Sequence, residues 1–511
     1  MPWTTRFLCI GLLLILAACG EYLPFRAPLP FPTPGQHDLV VLVQPGPLTY
    51  GTDEPGSPTG LEHDLIEAFA LELGVGIKYL TVEPGELPDK LRGRNYHIAA
   101  GWLSPGHDAT IQTTAPIFQT VDRLAQHDSS LPLNELSQLD GKTVHALAGS
   151  RQADTLRQLA GTLPNLKVIE VNQGSILDLL EQLGNGRVDY VAIDAMVEDI
   201  ATQFVPNLRT TLTLSKEQPI VWLLGTQPNA ELAERLKSFV ERAQHDGTLA
   251  RIEERYYGHV RRLTQGDVTK FLGEIETTLP KLRRYFQAAE LDTGLDWRLI
   301  AAVAYQESHW DPQATSYTKV RGIMMLTEET ADRLRVTNRL DPKESILAGA
   351  RYINWLKEQL EADIHEPDRT WLALAGYNLG PGNLNAGLRL ARLLGADATT
   401  WYDMKTVLPK LAQPKYAQKV KAGRARGGEA VILVDNIRSY YDILLRNTAP
   451  LQPSAAVERS LKRVVAEVEE LQRRYSRKAA RDIARLPDAD DQDGPGLGGI
   501  AHDPGLRLDS R

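Results

Sequence analysis

Cysteine is almost absent. The 511 residues contain two, Cys9 and Cys19, both inside the first twenty positions. The body of the chain has no means of forming an internal disulfide. Long apolar runs are equally scarce: the run from Phe7 to Ala18 falls short of the ~20 residues that a membrane-spanning helix needs. A basic excess is missing too. Lys and Arg number 57 against 65 Asp and Glu, a net charge of −8, which argues against nucleic acid as a partner. No internal repeat is visible. No second His or Cys stands at ligand spacing from His309, so neither a metal nor any other cofactor is expected.

What is present begins with a leader. Arg6, the apolar run and the small residues before Cys19 read as a secretory signal over 1–18. Leu16-Ala17-Ala18-Cys19 resembles a bacterial lipobox. That resemblance implies cleavage before Cys19 and its acylation. With Gly20 and not an acid next in line, it also implies anchorage at the periplasmic face of the outer membrane. The alternative is an ordinary leader that happens to contain Cys19. Residues 19–36 carry Pro24, Pro28, Pro30, Pro32 and Pro34, the composition of an extended tether.

From residue 37 to 262 short apolar strands alternate with helices. Leu39 to Val43, Tyr96 to Trp102, Lys142 to Ala148, Val188 to Ile193 and Pro219 to Leu224 read as strands. Helices are expected from Gly60 through Leu73, from Ala153 to Leu159 and from Ser175 to Leu183. Such alternation predicts an α/β domain. Gly60-Leu61-Glu62-x-Asp64-Leu65, Ser104-Pro105, Gly149-Ser150 and Gly186-Arg187-Val188-Asp189-Tyr190-x-x-x-Asp194 resemble the motifs of periplasmic type-3 solute-binding proteins. The resemblance implies two lobes, two crossing strands and a ligand cleft. It also implies that Ser150 holds a ligand carboxylate and Asp194 an amino group. His107 stands where amino-acid binders of that family have an arginine, and its loss removes the bidentate fork that favours carboxylates. A small-molecule or muropeptide ligand and a purely regulatory or scaffolding domain both remain open.

From residue 268 to 446 the pattern is helical throughout. Asp296 is a candidate N-cap for a helix starting at Trp297. Along it Ile300, Val303 and Ala304 follow the i, i+3, i+4 rule, and the next position on that stripe is Glu307. A carboxyl on an apolar face loses hydration in its charged form, so its pKa rises. A general acid for neutral pH is made in this way. Asp341-Pro342-x-Glu344 predicts a capped helix start with a capping box. Beyond 446, residues 447–511 read as an extension: a charged amphipathic helix over Val457 to Ala484, then a Gly-, Asp- and Pro-rich disordered tail.

Glu307-Ser308-x-Trp310-x-Pro312, Ser316, Gly322-Ile323-Met324 and Tyr377-Asn378-x-Gly380-Pro381-Gly382 resemble, in order, the motifs of the soluble lytic transglycosylase family. The resemblance implies an all-α, lysozyme-like domain that cuts peptidoglycan glycan strands between N-acetylmuramic acid and N-acetylglucosamine. Glu307 would serve as both acid and base, leaving a 1,6-anhydromuramoyl end. Ser308 would fix local geometry, Ser316 would lie near the reacting centre and Met324 would line the sugar wall. Tyr377 would approach Glu307, and Asn378 would hold a substrate or backbone group. The family usually has Gln where this chain has Met325, and a core position is expected for Met325. A lysozyme-like hydrolase and a ligand-sensing scaffold with a silent second domain are the competing readings. The hydrolase needs a second carboxylate, and neither Asp311 nor Glu328 nor Glu329 lies on an apolar face.

Overall fold

The computed structural model describes residues 29–52, 58–93, 95–106, 110–225, 228–421 and 425–451. The signal segment, Cys19, His107, the charged helix after Val457 and the tail lie outside the described residues. Two compact units divide the chain, Met1–Pro450 and Leu451–Arg511. All described residues except Leu451 belong to the first.

Residues 39–225 build two large sheets and a two-stranded one, Gly51–Thr52 with Pro58–Thr59, among the described residues. In the first, the strand order is Ile77–Thr81, Leu39–Val43, Ile98–Leu103, Gln218–Gly225 and Gln112–Thr113. Leu39–Val43 runs parallel to both of its neighbours. It is covered on both faces, so its sequence is apolar without alternation. The second sheet has the order Lys167–Val171, Thr143–Leu147, Tyr190–Asp194, Asp122–His127 and Leu208–Thr213. Phe118–Thr120 pairs with Gln218–Gly225 of the first sheet. After Val121 the chain enters Asp122–His127 of the second. The return runs from Leu208–Thr213 to Gln218–Gly225. These are the two crossing strands expected of a two-lobed domain.

From Gln265 to Asn447 every regular element is helical among the described residues. The expected cap holds: Asp296 accepts from the Arg298 amide at 2.8 Å, and the helix runs Trp297–Ser308. Ile300, Val303 and Ala304 are fully buried. Asp341 caps Pro342–Glu358 by accepting from the Glu344 amide. The capping box, however, is not closed. The Glu344 carboxylate turns to the Thr337 and Asn338 amides at 2.7 and 3.1 Å, because the loop before Asp341 offers two free donors.

The closing helix, Gly427–Asn447, ties the helical part to the α/β part. It packs along Trp297–Ser308. Its Arg438 donates to the carbonyls of Glu254 and Arg255, each at 2.8 Å. Its Ser439 donates to the His259 carbonyl, and its Asp442 pairs with the His259 imidazole at 2.6 Å. Lys405 reaches Glu254 at 2.9 Å and Asp435 at 3.0 Å. With Arg438 and Asp435 almost fully buried, this junction is a shielded ion cluster and not a loose surface contact.

Candidate active site

Glu307 occupies the last turn of Trp297–Ser308 and is half-buried. Among the described residues no hydrogen bond or ion pair reaches its carboxyl. Burial alone pushes its pKa from the ordinary 4.5 to about 8. No charged neighbour contributes to that shift. The helix ends at once behind it: His309 and Trp310 both take left-handed backbone angles, φ 51° and 62°. Trp310 folds back beneath the turn and donates its indole N–H to the Ala301 carbonyl at 2.8 Å. It is core, as is Tyr440, which meets Tyr305 and Phe271 with ring centroids 4.8 and 4.6 Å apart. His309 is exposed.

A tight turn through Gly322–Leu326 lies against this helix end. Ser308 Oγ donates to the Ile323 carbonyl at 2.8 Å and to Ala304 at 3.1 Å, so it fastens the turn to the helix that carries Glu307. Tyr377, in the last turn of Asp368–Leu379, donates its hydroxyl to the Met324 carbonyl at 2.6 Å. Burial first, and the nearby Glu307 carboxyl second, raise the Tyr377 pKa well above 10. Gly322 has φ 80°, and a Cβ there would stand 1.7 Å from the Arg339 carbonyl oxygen; only glycine fits. Ser316 accepts from the Thr318 and Val320 amides at 3.2 and 3.3 Å, which shapes the loop before the turn. Asn378 is exposed beside Tyr377.

Two adjacent residues differ from expectation. Met324 was expected on a sugar-facing wall and Met325 in the core. Instead the Met324 side chain is fully buried, where its tip would touch any Cβ at Gly349 at 2.5 Å. Met325, at φ 46°, is partly exposed. The left-handed angle at Met325 reverses which of the two faces outward. Met324 takes part through its carbonyl and not through its thioether.

In the α/β domain, Ser150 caps the helix Arg151–Ala160 by accepting from the Ala153 amide. Its hydroxyl donates to the Leu147 carbonyl at 2.6 Å. Asp194 is buried and fully engaged. Its oxygens accept from Trp102 Nε1 and Thr120 Oγ1 at 2.9 Å each, and from the Met196 amide at 2.8 Å. The Arg151 guanidinium bonds it as well and reaches Asp122 at 2.9 Å. Ser150 and Asp194 share one small cavity of about 70 Å³ with Trp102, Thr49 and Gln44. Sequence reasoning missed Arg151 and Trp102. The amide of Trp102 donates to Glu62 at 2.9 Å while its indole donates to Asp194, so one residue joins the two lobes. A left-handed tryptophan, φ 57°, has no signature in sequence.

Comparison with known proteins follows the same division. The family model "Bacterial extracellular solute-binding proteins, family 3" matches residues 39–259, and "Transglycosylase SLT domain" matches residues 284–397. Among solved structures, an ancestral arginine-binding protein bound to arginine is 20% identical, covers 43% of this chain and 98% of that chain, and superposes with a TM-score of 0.39. Two curated relatives carry the name membrane-bound lytic murein transglycosylase F. The one from Nitrosospira multiformis is 42% identical over 85% of this chain and 91% of its own length. The one from Thiobacillus denitrificans is 40% identical over 86% and 93%. Identity of that extent, across both domains and with Glu307 and its turn in place, makes this chain a member of the membrane-bound lytic murein transglycosylase F family.

Proposed function

We propose that the chain is a lyase of peptidoglycan that cuts the β-1,4 bond between N-acetylmuramic acid and N-acetylglucosamine. The observation that carries this reading is the Glu307 carboxyl, held near pKa 8 by burial with no charged partner. At neutral pH it is protonated and can give its proton to the glycosidic oxygen as the C1–O bond breaks. The resulting carboxylate then takes the proton from the C6 hydroxyl of the same muramic acid as that oxygen bonds to C1. Proton and bond counts balance, and no water is consumed. The attack is intramolecular, worth an effective molarity of ~10⁵ M or more, so no second carboxylate is required. A hydrolase would need one ~5–9.5 Å away, and analysis of the product ends separates the two reactions.

Ser308, Ser316, Tyr377 and Asn378 surround the reacting sugar in this reading, with Met324 acting through its carbonyl. Residues 37–262 form a regulatory domain with a cleft between its lobes for a small-molecule or muropeptide ligand; with Asp194 held by Arg151 and only about 70 Å³ free beside Ser150, the lobes would have to part for a muropeptide to enter. Acylated Cys19 anchors the protein to the outer membrane. The relatives are named membrane-bound, which supports a membrane anchor. Among the described residues no helix is long and apolar enough to cross a membrane. The test is mass spectrometry of murein digested by the purified protein. Anhydromuramoyl ends are expected. Reducing ends, heavier by one water, would reject the lyase.

A further inference from the structure

The chain carries a net charge of −8, yet the stretch between Asp403 and Glu429 holds seven Lys and Arg and no acid. Part of that stretch faces the second half of the helix Pro381–Leu394 across a groove of about 430 Å³. Arg389, Arg392 and Leu393 of the helix form one bank, and Lys419, Val420 and Lys421 form the other. All of these except Val420 are exposed. The bond-breaking steps at Glu307 make no use of them.

Three of the four cations have no carboxylate partner among the described residues. Arg389 donates to the Val420 carbonyl at 3.3 Å. The Lys419 ammonium lies 5.9 Å from the centre of the Tyr416 ring, which Lys415 approaches at 5.3 Å. Lys421 is exposed at a left-handed backbone position, φ 51°. Only Arg392 is paired, with Glu361 at 2.5 Å. Like charges gathered round one groove repel one another and draw in an anion. Leu393, 61% exposed between them, adds an apolar contact.

Each bank is tied to the reacting centre. The helix Pro381–Leu394 starts four residues after Tyr377, and Arg389, eight residues on, lies ~12 Å further along its axis. On the other bank Arg426 follows Lys421 by five positions, and its guanidinium donates to the Tyr317 hydroxyl. Tyr317 belongs to the loop that Ser316 shapes ahead of the Gly322 turn. A peptide of four residues spans at most ~14 Å, so a peptide carried by a sugar at Glu307 has the reach. We propose that this groove takes the carboxylates of the peptide stems borne by the murein strand being cut, with Leu393 against their apolar side chains. The proposal rests on the murein reading and adds to it a preference for strands that keep their peptides. A bilayer surface is flat and the groove is concave, which favours a peptide over anionic lipid as the occupant.

The probes are two preparations of murein glycan strands, one with its peptide stems and one stripped of them by an amidase. Cleavage by the full chain is read as kcat/KM, and binding is read by cosedimentation with the full chain carrying Glu307→Gln. Peptide-bearing strands are expected to be favoured about tenfold, chiefly in KM, and less so as salt rises. A triple variant, Arg389→Gln with Lys419→Gln and Lys421→Gln, is expected to lose that preference and to cut stripped strands at the wild-type rate. The charge-keeping set, Arg389→Lys with Lys419→Arg and Lys421→Arg, is expected to retain it. Thermal unfolding of each variant confirms that it is folded. No preference in the wild type, a preference that survives the triple variant, or an equal loss on both strands overturns the proposal. A triple variant that keeps the preference but no longer binds phosphatidylglycerol vesicles would name lipid as the occupant instead. Failure of the murein reading shows separately, as reducing ends or no cleavage by the wild type, and the cosedimentation arm tests the groove even then.

Discussion

The Tyr377 hydroxyl donates a 2.6 Å hydrogen bond to the carbonyl of Met324. This joins the helix Asp368–Leu379 to the turn that packs beneath Glu307, across 53 positions of sequence. Met324 is fully buried and Tyr377 is half-buried, so water has little access to replace the bond. Tyr377→Phe leaves the Met324 carbonyl unpaired, at a cost of about 1–3 kcal/mol. Anhydromuramoyl formation on isolated sacculi should fall by tenfold or more, mostly in kcat, since the loosened turn misplaces Glu307 after the strand has bound. A change confined to KM would show instead that the hydroxyl serves sugar binding.

The same turn is filled from the other side by Gly349. An added Cβ would stand 2.5 Å from Met324 Cε and 2.9 Å from its Cγ. The tip and the Cγ can rotate away, but the Met324 Cβ, 3.0 Å from the added atom, cannot do so without moving the backbone. Gly349→Ala is therefore expected to destabilise by about 1–3 kcal/mol through overpacking. It should also lower activity, because displacement of Met324 is displacement of the carbonyl that Tyr377 holds. Denaturant unfolding and murein assays on one preparation measure both effects. Stability lost with activity intact would separate the side chain from the site.

Asp194 and Arg151 make a buried pair joined by Trp102 and Thr120. Asp194→Ala leaves the buried Arg151 guanidinium with Asp122 as its one remaining carboxylate partner among the described residues, and breaking a buried pair costs up to about 3–5 kcal/mol. The α/β domain should lose a large share of its stability. Asp194→Asn is expected to cost less, since the amide still accepts from the Trp102 indole. A melting curve for each variant decides. If both variants melt like the wild type, Arg151 has no need of its partner and the two lobes are held by other contacts.

Glu307 was legible because its environment is local. Three buried positions on one helical stripe forecast a fourth, and Glu307 stands half-buried at that place. The strands were legible for the same reason, since Leu39–Val43 has to be covered on both faces. The methionine pair was not legible. Whether Met324 or Met325 faces inward depends on a φ of 46° at Met325, which no propensity forecasts. Arg151 escaped notice because an arginine in the first turn of a helix is ordinarily solvated. Its burial depends on Asp122 and Asp194, which the crossing of strands between sheets brings to it. The junction ion cluster likewise needs Glu254 and Arg438 to meet across 184 positions.

Activity should follow the protonation of Glu307. With its carboxyl at about 8, the acid form is nearly complete at pH 6 and depleted by pH 9. The alkaline limb of kcat/KM on murein is expected to bend near pH 8 and then fall about tenfold per pH unit. An alkaline limb that bends near 4.5 would mean that Glu307 titrates as a solvated carboxyl, and the role given to its burial would be lost. Glu307→Gln, which can neither give nor take the proton, should lower kcat by about 10²-fold or more.

Stability should carry the mark of the same group, with a sign opposite to that of a salt bridge. In the unfolded chain Glu307 ionises near 4.5; in the folded chain it holds its proton up to about 8. Below pH 4.5 both states are protonated and the burial costs nothing. Between 4.5 and 8 only the unfolded chain has released the proton, so unfolding is increasingly favoured as pH rises. Above 8 the folded chain is also ionised and the penalty stays constant. Glutamine is neutral throughout and escapes it. Glu307→Gln is therefore expected to melt with the wild type at pH 4 and above it at pH 9, the gap opening through the intervening range. Parallel melting temperatures across that range would mean that the carboxyl is solvated in the folded state. The same variant would then lose its standing as a test of a buried acid, since the wild-type carboxylate would already be ionised at neutral pH.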